Sequence, residues 1–95
     1  LELPVEKIEV PDEATRLYVK VTLNVSEEGK ETPSEVRIGS RTWKVTNVFS
    51  ITPVALSPRQ QAIRRYSIVI AGSEHYLWRE GKRWFVVPTR PIRHK

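Results

Sequence analysis

Residues 16–25, RLYVKVTLNV, alternate without a break. Leu17, Val19, Val21, Leu23 and Val25 fall on one face, and Tyr18, Lys20, Thr22 and Asn24 on the other. A period of two held this long describes a strand with one dry face and one wet face. A strand is not stable alone, so the rest of the chain must supply its neighbours. The chain has 95 residues, room for one domain.

Further strands can be read along the chain. SEEGKETP (26–33) is polar and punctuated by Gly29 and Pro33, so it ends the first strand. Residues 3–10 form a weaker pattern, with Val5, Ile8 and Val10 unevenly spaced. EVRIGSRTWKV reads as a hairpin turning at Gly39-Ser40. Its second strand carries Trp43, Val45, Phe49 and Ile51, with a bulge expected near Asn47. Ser57-Pro58-Arg59-Gln60 has the form of a helix start, which predicts a short helix within 58–64 at most. Strands are predicted over 17–25, 42–50, 65–71, 74–79 and 83–87, the last three separated by turns at Gly72 and Gly81. The final hairpin is apolar on both faces, Tyr76, Trp78, Trp84 and Val86 on one and Leu77, Phe85 and Val87 on the other, which predicts a central position. A three-residue loop over Arg79–Gly81 would set Tyr76 opposite Trp84.

The expected fold is therefore all-β: a small, partly open SH3-like barrel of six or seven short strands. One β domain is expected over 1–95, with 1–13 loosely packed and 88–95 a basic tail. The expected core is Leu17, Val19, Val21, Leu23, Trp43, Val45, Ile68, Ile70, Leu77 and Phe85. The chain contains no Met and begins at Leu1, so it is expected to be processed or part of a longer one.

Composition removes many chemistries. There is no Cys, hence no disulfide framework, thiol nucleophile or thiolate zinc site. The only Asp is Asp12, and the two His residues are His75 and the near-terminal His94. His75 follows Glu74 in a strand, where neighbours point to opposite faces and cannot pair. SEEGKE lacks the alternating acids of a calcium loop, and the four glycines are scattered. No enzyme activity, cofactor, metal or small-molecule substrate is expected. No apolar run approaches the ~20 residues of a membrane span, and a cytoplasmic setting is expected.

Charge is what remains. Residues 1–35 carry four basic and nine acidic side chains, a net of −5; residues 36–95 carry twelve and two, a net of +10. The second part also holds seven of the eight aromatics, all but Tyr18. Small barrels that bind single strands combine a basic groove with aromatic stacking platforms. The candidate residues are Arg64, Arg65, Arg79, Lys82 and Arg83, with Tyr66 or Trp78 as the stacking surface. The alternative is a protein-interaction domain in which the aromatic hairpin or an edge strand takes a partner chain or a second copy.

The stretch Gly39-Ser-Arg-Thr-Trp43-Lys-Val-Thr-Asn-Val48, then Arg65-Tyr66, Tyr76-Leu-Trp78-Arg79 and Trp84, resembles an uncharacterised bacterial family. Its members are small β proteins often encoded near translesion DNA polymerase genes. The resemblance covers about half the chain, from Val36 to Val87, and leaves the acidic first 35 residues outside it. It implies a small β fold and a setting in DNA repair, and it assigns no catalytic residue.

Overall fold

The computed structural model describes residues 8–88. Six strands follow one another: β1 (Leu17–Val25), β2 (Glu31–Ile38), β3 (Arg41–Leu56), β4 (Ala62–Ile70), β5 (Ser73–Glu80) and β6 (Arg83–Val86). Each pairs antiparallel with the next, and β6 pairs with β1, which closes a barrel. Among the described residues the helical content is one 3₁₀ turn, Glu13–Thr15. No described helix is long and apolar enough to cross a membrane.

The barrel is unevenly zipped. β2 and β3 pair only over Glu35–Ile38 and Arg41–Lys44. From Val45 onward β3 leaves β2 and runs with β4 to Leu56, shifting register between Val45/Asn47, Val48/Ser50 and Pro53/Ala55. The bulge expected near Asn47 is the first of these. β6 is also short: it meets β5 over Trp78–Glu80 and β1 over Leu17–Val19, three pairs each.

The core expectation holds in direction. Alternation sends Val19, Val21 and Leu23 of β1 inward, against buried Val36, Tyr66, Ile68, Leu77 and Trp84. Val45, Val48, Ile70 and Val86 pack around that cluster. Leu17 departs from it: 40% exposed, it lies at the barrel's rim. Trp43 is half-buried, with the Arg41 guanidinium 5.2 Å from its ring centroid. Phe85 is fully buried, but on the outside of the barrel, where it stacks on Trp78 beside Ile63.

That second, outer cluster is covered by the N-terminal segment, where Ile8 and Val10 pack on it. Arg16, at the end of this strap, fastens it. Its guanidinium lies 4.4 Å over the Phe85 ring, donates to Glu80 Oε1 at 2.9 Å, and Nε donates to the Pro11 carbonyl at 3.0 Å. The final hairpin is thus central, as both apolar faces required. Its register differs from expectation: the turn has two residues, Gly81-Lys82, so Trp84 lies opposite Arg79.

Residues 57–61 form a turn, with no helix. The buried Ser57 hydroxyl accepts the N–H groups of Arg59 (3.2 Å) and Gln61 (3.1 Å). This is the capping chemistry the sequence suggested, but pairing of Ala62 with Leu56 resumes the ladder before a helix can propagate. Ala71 and Gly72 form the β4–β5 turn, both at positive φ (52° and 80°), the geometry of a tight hairpin turn.

Candidate nucleic-acid interface

The seven residues suggested by sequence do not form one surface. Tyr66 is 2% exposed and tilts against Trp84 inside the barrel, ring centroids 4.9 Å apart. Trp78 is 6% exposed beneath the strap. Neither presents a ring face to a base, because the period of two that makes a strand aromatic also turns it into the core.

Arg79 points inward as well. It lies 4.8 Å over the Trp84 ring, donates Nε–H to the Gly81 carbonyl at 2.9 Å and pairs with Glu31 at 3.0 Å. Burial opposes its charge, but the Tyr66 hydroxyl and the Glu31 carboxylate outweigh this and hold its pKa above the ordinary arginine value. Arg79 therefore seals one end of the barrel. No buried side-chain polar atom among the described residues lacks a partner. Arg64, Lys82 and Arg83 are exposed, and Arg65 is half-buried with its guanidinium 4.1 Å over Tyr76. The basic tail around Arg90, Arg93 and Lys95 lies outside the described residues.

The ladder registers assemble a different surface. On the outer face Lys20 is the direct partner of Arg37, and Arg37 of Thr42. The β1–β6 ladder ends at Val19 and Trp84, and Lys20 and Arg83 are the next residue on each strand beyond it. Paired Lys20 and Arg37, with Arg83 at the adjoining end of β6, make up a row of exposed cations. The row beyond it holds Thr22, Glu35 and Lys44. Four cations share this face with one half-exposed carboxylate, Glu35. Glu80 lies opposite Arg83 on β5, but its Oε1 already binds Arg16. None of the four cations is in a salt bridge among the described residues.

Like charges directly opposite in a sheet have Cβ atoms roughly 5 Å apart, and each such pair is destabilising by a few tenths of a kcal/mol to about 1. An anion on the row relieves that repulsion. The row is also partly preorganised: Arg83 lies 4.1 Å over the Tyr18 ring, and Arg16 donates to the Tyr18 hydroxyl at 3.0 Å. Burial works against the Arg16 charge, but Tyr18 and Glu80 overcome it and raise its pKa. Sequence reasoning missed Lys20 and Arg37 because their signal is a register.

Around the row the face is polar, with Thr22, Asn24 and Thr42 all exposed. The barrel end bounded by the 39–40 and 71–72 turns is, by contrast, open. A groove of about 810 Å³ enters there, floored by Val36, Ile38, Ile68, Ile70, Leu77 and Val86. Comparison with protein-family models, curated proteins and solved structures found no match.

Proposed function

We propose that this chain is a non-enzymatic binding module that takes a single strand of nucleic acid across its β6–β1–β2 face. The observation that carries this reading is the paired Lys20 and Arg37 with Arg83 at the adjoining end of β6: three exposed cations, none in a salt bridge among the described residues. Strands lie roughly 4.8 Å apart, so the row spreads three charges over about 10 Å, the scale of neighbouring phosphates. A protein interface has an apolar and aromatic centre, whereas threonines and Asn24 surround these cations. Tyr18, the aromatic residue here, has Arg83 over its ring.

The test is binding of a short fluorescent single-stranded oligonucleotide as salt is varied. Three phosphate contacts predict a slope of log affinity on log salt of about −2, from roughly −0.7 per contact. Lys20→Glu should abolish most of the binding, while Arg64→Ala, off the row, should change it little. Absence of binding at low ionic strength, or equal binding by Lys20→Glu, would overturn the proposal.

A further inference from the structure

The open end of the barrel holds the groove, and its position relative to the cation row gives it a use. Arg37 faces outward on the row; one residue on, Ile38 faces inward and lines the groove. The two-residue tip Gly39-Ser40 separates Arg37 and Ile38 from Arg41, which also lines the groove and holds its guanidinium over Trp43. A polymer lying on the row therefore reaches the groove by passing one hairpin tip. On the opposite side the groove is notched. β6 pairs with β5 only from Trp78 onward, leaving Ser73–Leu77 without a β6 neighbour. Tyr76, 52% exposed, and His75 stand at that notch.

We infer that this groove takes an unpaired nucleobase from a strand lying on the cation row, an inference that rests on the proposed function. A nucleobase has two apolar π-faces and a polar edge, and the groove is arranged in the same way. Its lining combines an aliphatic set with the aromatic residues Trp43 and Tyr76 and the polar residues Ser73, Glu74 and His75. Its volume of about 810 Å³ is within the range of preformed ligand sites, roughly 300–1,000 Å³. The rim cation Arg41 suits the phosphate that follows an inserted base. Arg65, 4.1 Å over Tyr76, backs that ring. A base can enter only when it is out of a duplex, so the groove selects single strands.

The experiment compares two oligonucleotides of equal length and phosphate count, one with bases and one with an abasic backbone. The abasic strand reads the row alone; the base-bearing strand reads row and groove together. Stacking of one base predicts a preference of roughly tenfold for the base-bearing strand. Tyr76→Ala should bring that ratio close to one without changing the salt slope, and His75→Ala should reduce it in part. Both side chains are exposed, so both variants are expected to fold. If the two strands bind equally and both are lost in Lys20→Glu, the groove inference fails and the row stands. If neither strand binds, both fail. A base preference untouched by Tyr76→Ala and His75→Ala would also overturn the inference, since the base would then be held elsewhere.

Discussion

Two outer faces of this barrel meet along β6, and they handle arginine in opposite ways. Over β4, β5 and β6 the chain covers itself. The strap lays Ile8 and Val10 on Ile63, Trp78 and Phe85, and Arg16 finds Glu80, Tyr18 and the Phe85 ring. Over β6, β1 and β2 nothing described covers the sheet; Lys20 faces Arg37, Arg83 stands at the adjoining end of β6, and among the described residues no carboxylate is paired with them. The covered face spends its charge on folding. The bare face keeps its charge at a small cost in stability, which leaves it available to a ligand.

That contrast can be broken by substitution. Phe85→Ala removes the centre of the covered face and should destabilise the domain by about 3–5 kcal/mol, measured by urea unfolding. This is near the whole stability of a small domain, so a melting temperature equal to that of the wild type would refute a structural role for that face. Glu80→Ala leaves Arg16 without its carboxylate partner while the Tyr18 and Pro11 contacts remain, the Glu80 and Arg16 side chains being 11 and 8% exposed. Full burial would imply about 3–5 kcal/mol; with this residual exposure about 2–3 is expected. Because the Arg16 pKa is raised, its charge contributes to stability below the ordinary arginine value and is lost only above the still higher folded one. The arginine side of this contact should therefore give no slope in stability across neutral pH.

On the bare face the sign reverses. Lys20→Glu replaces the like charge opposite Arg37 by an attractive one and should stabilise by about 0.5–1 kcal/mol while removing oligonucleotide binding. A variant that gains stability and loses oligonucleotide binding separates the two faces more sharply than any loss of both. The smallest expected effect lies at the β4–β5 turn, beside the groove. Ala71 sits at a φ of 52°, which an Asn tolerates better. Ala71→Asn should raise stability by a few tenths of a kcal/mol, visible as a small rise in melting temperature, with no change in binding at the row.

How far the sequence carried depends on whether a feature was local. β1 was readable because its nine residues alternate throughout, the register shift beside Thr22 and Leu23 placing its extra residue, Ser34, on β2. β3 was read too short because register shifts near Thr46, Phe49 and Val54 break its period while the strand continues to Leu56. Ser57-Pro58 looked like a helix start because the hydroxyl that caps a helix also closes a turn. The candidate site was the least readable. Lys20 lies in the third of the chain with net charge −5 and would not be sought there, whereas Arg79 and Trp78, in the basic part, are taken up by the interior and by the strap. Clustering in sequence picked out Arg83 but not Lys20 or Arg37, because in a sheet the neighbours of a residue belong to other strands.

Five of the six ladders join consecutive strands, and such contacts form early because little chain must be closed. The sixth, β1 to β6, joins residues 17–19 to 84–86 and is three pairs long. It is the seam of the barrel, and Arg16, immediately before β1, grips β5 and β6 across it. If the seam opens, the molecule becomes a flat meander with an unprotected strand at each end, the form in which β1 of one copy can close on β6 of another. Amide exchange at Leu17–Val19 and Trp84–Val86 should therefore be the fastest among the strands, and faster still once Arg16 is removed. The same guanidinium that holds down the strap would then also keep the protein from trading strands with its neighbours.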